Sequence, residues 1–283
     1  MSIPTGRAKP VGLPSATTPP VSTPVATGDV LFDLIRDHET ASTATPWGRV
    51  LDAGTGRQSL TWLLSLTGVT RWSAITADEG MARTMREDVL TPCADHSAVE
   101  KGTLLVGNWD DPKLCDGEEY DVIIADYLIG AIDGFSPYTQ ELIIERLRHH
   151  LAPGGRLYVI GLQPLPDKAP KPADVICEVR QLRDACILLA GHRCYREFPL
   201  EWLERHLKAG GLSIERTEQF PILYTEASIG RQIDVGARKL PLFEVSHCSL
   251  SRQYSSVLVI KSFVIVCRSS SRVVPCGNPH ALT

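Results

Sequence analysis

The sequence predicts an α/β protein, a mostly parallel sheet with helices on both faces. Three observations carry this expectation. Short apolar runs alternate with segments of helical spacing. The runs are continuously apolar, as in strands covered on both sides. The first run also passes through a tight glycine turn, Asp52-Ala53-Gly54-Thr55-Gly56, into an amphipathic stretch from Gln58 to Leu64. Glycine lets a ligand approach the main chain closely, and a helix start offers free N–H groups. The turn is therefore suited to hold a polar ligand against backbone.

The elements follow in order. Residues 1–27 are rich in Pro, Ser and Thr and contain no acid. They are expected to be a flexible tail, because such a segment buries little surface. Arg7 and Lys9 without an amphipathic pattern fit a tail better than an organelle leader. Asp29–Ile35 has helical spacing, with Asp29 as a cap. Strands are expected at Val50–Ala53, Trp72–Thr76, Gly102–Gly107, Asp121–Ala125 and Arg156–Ile160. Helices are expected at Gly80–Leu90 and from Tyr138 to His150. Leu151-Ala152-Pro153-Gly154-Gly155 is a turn before the fifth strand. In such sheets ligands sit at the carboxyl ends of the strands, which points to 52–56, 76–79, 107–110 and 126–130.

After the fifth strand, residues 163–172 form a proline-rich loop. Val175, Ile176, Val179, Leu182, Cys186 and Leu189 then mark an extra amphipathic helix. The polar and aromatic run His192-Arg193-Cys194-Tyr195-Arg196-Glu197-Phe198 follows. A helix near Glu201–Leu207 stops at Gly210-Gly211, and a strand spans Leu212–Phe220. A further helix is expected over Thr225–Leu240, and Lys261–Arg268 reads as a last strand. Residues 245–283 are atypical in pattern. Val245-Ser246 is a pair that splice-donor bases encode, so an altered terminus from a retained intron is one reading of this segment.

The totals suit a soluble globular protein: 283 residues, 43% hydrophobic and 22% charged. A formal net charge of −4 gives no general affinity for nucleic acid or anionic membrane. No apolar run approaches the roughly 20 residues that span a bilayer. The eight cysteines include no Cys-x-x-Cys pair, so no metal site is expected and a reduced, cytoplasmic setting is.

Three motifs in order carry a resemblance. Val50–Gly56 resembles the first motif of class I S-adenosylmethionine-dependent methyltransferases, an acid followed by Gly-x-Gly. Glu119-Tyr120-Asp121-Val122-Ile123-Ile124 looks like that family's fourth strand, and Leu151–Leu157 like the Leu-x-Pro-Gly-Gly turn before its fifth. The resemblance spans about 29–220. It implies a Rossmann-like seven-stranded sheet, S-adenosylmethionine as cofactor and methyl transfer to a small molecule by in-line displacement. It places the methyltransferase domain over 28–244, with 163–199 as a lid over the substrate.

By this resemblance Asp52, Gly54, Thr55 and Gly56 line the methionine end of the cofactor. Thr76 stands where the family has a ribose-binding acid, with Asp78 as the other candidate two residues on. Asn108 takes the place of an adenine-binding acid, with Asp110 also in reach. Trp109 either stacks on adenine or belongs to the core. Asp126 and Tyr127 face the sulfonium and the substrate. In the lid, Arg193 and Arg196 are candidates to orient the acceptor, and His192 and Tyr195 to assist proton transfer. The competing reading of those lid residues is a helix end whose basic groups complement its dipole.

Two other functions compete. An NAD(P)-dependent oxidoreductase needs a third small residue in the glycine fingerprint. Here that position is Ser59, and Asp52 would repel a pyrophosphate while attracting a sulfonium and an ammonium. A non-catalytic methyltransferase-like binding protein is the second, motivated by Thr76 and Asn108. Cys177, Cys186 and Cys194 read as structural thiols rather than an arsenic site. No Asn-Pro-Pro-Tyr-like signature follows the fourth strand, where Asp126-Tyr127-Leu128-Ile129 stands.

Overall fold

The computed structural model describes residues 29–44, 46–171, 173–243 and 259–269. The expected tail over 1–27 and most of 245–283 lie outside them. Seven strands form one sheet: β1 (Gly48–Asp52), β2 (Val69–Thr76), β3 (Gly102–Val106), β4 (Tyr120–Asp126), β5 (Leu151–Leu162), β6 (Leu212–Leu223) and β7 (Val259–Ser269). Their spatial order is β3-β2-β1-β4-β5-β7-β6. Strands β1 to β5 pair in parallel, and β7 runs antiparallel between β5 and β6. Strand order reverses at β1, so the carboxyl ends of β1 and β4 open the crevice where a ligand would sit.

The continuous apolar runs are explained by two cores. Val50, Val122 and Ile124 point to one face, while Leu51, Ile123 and Ala125 point to the other. Each of these residues is at most 1% exposed. Burying a side chain the size of Ile123 contributes about 1.5–3 kcal/mol. The first face is covered by α1 (Asp29–Ser42), α2 (Arg57–Leu64) and α3 (Glu79–Met85). A single π turn, Arg86–Leu90, continues α3. The second face is covered by α5 (Leu128–Phe135), α6 (Gln140–His149) and α8 (Leu200–Ala209). The short α4 (His96–Glu100) leads into β3.

The helix expected over 138–150 is α6, and a further helix that the sequence did not suggest, α5, precedes it. Helix α5 starts directly after β4, and α6 begins only at Gln140. The α5 segment carries Gly130 and Gly134 in a short, mostly apolar stretch with one acid, Asp133, so it shows neither helical periodicity nor favourable propensity. Helix α1 is longer than its apolar signal because its last turn is held by an ion pair. Glu39, fully buried, accepts from Arg156 Nε at 2.6 Å, Arg156 Nη2 at 2.5 Å, Tyr158 Oη at 2.7 Å and the Trp47 amide at 3.0 Å. At the Pro-Gly-Gly turn Gly154 has φ +77, a conformation that favours glycine.

After β5, α7 (Asp174–Leu189) packs through Ile176 and Val179 against Tyr224 and against Ile229 of α9 (Glu226–Ala237). Among the described residues no helix is long and apolar enough to cross a membrane.

Candidate functional site

The glycine turn places a carboxylate in an apolar pocket without a partner. Asp52 is 1% exposed, and neither of its oxygens is hydrogen-bonded; the Thr55 hydroxyl is likewise buried and unpaired. Burial raises the Asp52 carboxyl from its ordinary value to about 6, against a smaller opposing pull from Thr55, Ser59 and the Gly54 amide, which lie near without reaching bonding geometry. Buried polar groups are nearly always paired, so an orphaned carboxylate and hydroxyl side by side mark a place for a ligand.

A second acid stands beside it. Asp52 pairs in register with Ile124, so Asp126 lies two residues further along the adjacent strand. Its carboxyl is raised to about 7, first by burial and then by the charge of Asp52. Two such carboxylates favour a cation between or above them.

The two motif glycines serve different ends. A side chain on Gly54 would strike Leu128 Cδ1 at 2.9 Å, so this glycine allows α5 to pack on the turn. A side chain on Gly56 would meet nothing within 4 Å, so here the backbone faces open space. The Gly56 N–H is already donated to Ser59 Oγ at 3.0 Å. That internal bond takes up a donor that a pyrophosphate would need.

The neighbouring strand ends are quieter. Thr76, buried, accepts the Asp78 amide at 3.2 Å. Asp78 is exposed and caps α3 by accepting the Met81 amide at 2.8 Å. Asn108 donates to the Phe135 carbonyl at 3.1 Å and accepts from Ser136 Oγ at 2.6 Å. It therefore clips the loop after β3 to the end of α5, and its amide oxygen is engaged. Trp109 is buried in the second core, its indole N–H on the Ala53 carbonyl at 2.6 Å. Trp109 thereby braces the glycine turn from behind, as the core reading of this residue expects.

Tyr127 begins α5 in the left-handed region, φ 49. For a bulky residue this is uncommon and strained. Its hydroxyl lies near Ser262, Glu197 and Tyr224, and burial with the nearby acids pushes its pKa up. It is thus at the junction of the turn and a neighbouring cavity.

That cavity, about 620 Å³, is bounded by the end of β5, α7, the end of β6 and the strap 193–197. Leu162, Ile176, Arg183, Tyr195, Glu197 and Tyr224 are among its walls. The strap is anchored by the Arg196 amide on the Gly130 carbonyl at 3.0 Å and by Arg193 and Arg196 facing Asp133 at 3.5 and 3.9 Å. Tyr195 rests on Gly134 and beside Phe135, with ring centroids 6.4 Å apart in the second contact, and senses the charge of Asp78.

His192 does not share this position. It is exposed, with Nδ1 2.7 Å from Lys239 Nζ on the outer surface, and does not line the cavity. From that position it does not meet the cavity where proton transfer was expected of it. The group that faces the cavity instead is Glu197, whose carboxyl burial raises to about 7. Sequence reasoning passed over Glu197 because it stands as one polar residue among several. The signal lay elsewhere: Gly130 in α5 leaves the space that the Glu197 carboxylate fills, since a side chain there would come within 2.5 Å of Oε2.

The strand order, with its one antiparallel strand, is the architecture of class I S-adenosylmethionine-dependent methyltransferases, and the chain has that fold. Solved structures agree. A candidate methyltransferase from Bacillus halodurans superposes with a TM-score of 0.59 at 14% identity, covering 86% of this chain and 100% of that one. The YcgJ protein from Bacillus subtilis gives 0.55 at 17% identity, covering 86% and 99%. The cyclase SpnF gives 0.51 at 14% identity, covering 86% and 81%. At these identities the likeness is one of fold. No family model and no curated relative matches the sequence.

Proposed function

We propose that the protein is an enzyme that transfers a methyl group from S-adenosylmethionine to a small molecule. The observation that carries this is the pair of under-compensated carboxylates, Asp52 and Asp126, at the carboxyl ends of β1 and β4. A ligand bearing an ammonium and a sulfonium supplies the positive charge they lack, and Gly56 leaves room for it. Asp52, Thr55 and Gly56 would hold its methionine end, and Thr76 with Asp78 its ribose.

S-adenosylmethionine supplies an electrophilic methyl on its sulfonium. The protein's part is to align an acceptor with that methyl and to exclude water. Asp126 and Tyr127 stand between the glycine turn and the cavity, where that alignment is needed. Tyr195, lying across Gly134, closes the outer side. Arg193 and Arg196, drawn to Asp133, keep the strap in place rather than reaching for the acceptor.

Titration calorimetry tests the reading. S-adenosylhomocysteine is expected to bind at micromolar concentration and NAD not at all. No binding of S-adenosylmethionine or its product at millimolar concentration overturns the enzyme. One observation favours a second reading, a non-catalytic binding protein: the Asn108 amide is engaged by Ser136 and Phe135. Cofactor binding without turnover across a metabolite panel supports that one. The described cysteines are all free thiols, which fits a cytoplasmic setting.

A further inference from the structure

The cavity beside the glycine turn is lined by four arginines and three acids, and every acid but one faces an arginine in an ion pair. Arg180 lies 3.0 Å from Asp167 and 3.6 Å from Asp184. Arg183 lies 2.6 Å from Asp184 and 2.5 Å from Gln232. Arg193 and Arg196 share Asp133. Glu197 is the exception. Its carboxylate lies near the Leu162 amide and feels the charge of Arg183, and it forms no ion pair among the described residues. It stands in a partly apolar chamber with Leu162, Ile176 and Tyr224.

The surroundings decide which acceptor suits it. The Tyr127 hydroxyl senses Asp126, Glu197 and Tyr224 together, so the carboxylate lies on the side of the cavity that faces the two acids of the turn. A hydroxyl acceptor would develop negative charge there as it lost its proton, beside the Glu197 carboxylate and with each arginine already facing an aspartate. An amine carries positive charge before the reaction and again after it. Against acids in a poorly solvated pocket that charge is favourable, and Tyr224 on the cavity wall adds an aromatic ring that attracts cations.

Resting on the proposed methyl transfer, we infer that the acceptor is a small amine on a largely apolar body, bound as its ammonium against Glu197. Glu197 is then the catalytic base. It takes one N–H proton and becomes a carboxylic acid, which frees the nitrogen lone pair. The nitrogen forms its bond to the methyl carbon as the carbon–sulfur bond breaks, and that electron pair goes to sulfur. The methylated product is again an ammonium, and the Glu197 proton passes to solvent.

The groups facing Glu197 fix the expected pH dependence. They are Arg183 of α7, Tyr127 at the start of α5, Tyr224 at the end of β6 and the Leu162 amide of β5, and none of them is an acid. With its carboxyl near 7, ammonium binding strengthens between pH 6 and 8 as Glu197 ionises.

The test uses 2-phenylethylamine and its uncharged counterpart 2-phenylethanol, titrated by calorimetry into the full chain with S-adenosylhomocysteine present. The amine is expected to bind at least about tenfold more tightly at pH 8, and that preference is expected to shrink at pH 6. Glu197→Gln removes the preference while leaving S-adenosylhomocysteine affinity unchanged. Gly130→Ala should weaken amine binding at constant charge, because its methyl displaces Oε2. Equal affinity for the two probes in the unaltered protein, including no measurable binding of either, overturns the inference. So does a preference that survives both variants. Failure of S-adenosylhomocysteine to bind at all is a separate outcome, and it overturns the underlying methyl-transfer reading.

Discussion

Glu39 of α1 and Asp52 of β1 are both buried carboxylates, 0% and 1% exposed. Their environments are opposite. Glu39 accepts four hydrogen bonds, two of them from a buried guanidinium, and fastens α1 to β5. Asp52 accepts none. Burial alone therefore does not distinguish structure from function. What distinguishes them is whether the fold itself satisfies the charge. A complete partner set makes a clamp, and an empty one makes a receptor. Glu197, its carboxyl raised by burial and without an ion pair among the described residues, belongs with Asp52.

The comparison is broken most forcefully at the clamp. Glu39→Gln leaves Arg156, 8% exposed, without its counter-charge. Removing one partner of a buried ion pair costs about 3–5 kcal/mol. Urea denaturation should show a loss of that order, with S-adenosylhomocysteine affinity unchanged in the folded protein. A loss below about 1 kcal/mol would show that the clamp is not what holds α1.

Asp52→Asn should act in the reverse direction. The folded-state pKa of Asp52 is raised, so its contribution to stability is complete below the unfolded value of 3.8 and is lost as pH climbs through about 6. At pH 8 the ionised carboxylate is a liability to the ligand-free fold. The neutral amide should stabilise that state by about 1–3 kcal/mol at pH 8, with the gap closing toward pH 4. Cofactor affinity should fall roughly tenfold or more. A variant that is less stable than the parent at pH 8 would mean that Asp52 has a partner after all.

Asn108 is the smaller probe, because its amide serves the fold. Asn108→Ala removes the bonds to Ser136 and Phe135 and should destabilise by about 1 kcal/mol. If the residue is only a clip, S-adenosylhomocysteine affinity changes less than twofold. A larger drop would return Asn108 to the adenine site.

These contrasts also show what could be read in the sequence. The strands were legible because two-faced burial demands unbroken apolar runs, as in Val122-Ile123-Ile124. The glycine turn was legible because an acid followed by two glycines is rare chemistry. Helix α5 was hidden by Gly130 and Gly134, which serve contacts with Glu197 and Tyr195 rather than helix propensity. Those contacts join residues far apart in the chain, so no local pattern announces them. For the same reason Asp78 and Thr76, two residues apart, could not be ranked: the hydrogen bonds at Asp78 Oδ1 and Thr76 Oγ1 depend on how α3 starts. Glu39 went unread altogether, since its partners Arg156 and Tyr158 lie on a distant strand.

The last test is a proton count. At pH 6.5 Asp52 and Asp126, with pKa values of about 6 and 7, hold part of a proton each. A bound cation lowers both values, so protons must leave on binding. S-adenosylmethionine carries a sulfonium that its product lacks. It should therefore release more protons than S-adenosylhomocysteine, a difference of a fraction of one proton per site, and that difference should vanish above about pH 9. Calorimetry in two buffers of different ionisation enthalpy measures it. Equal release by the two ligands at pH 6.5 would place the sulfonium away from Asp126, and the acid pair would then answer only to the ammonium at the methionine end.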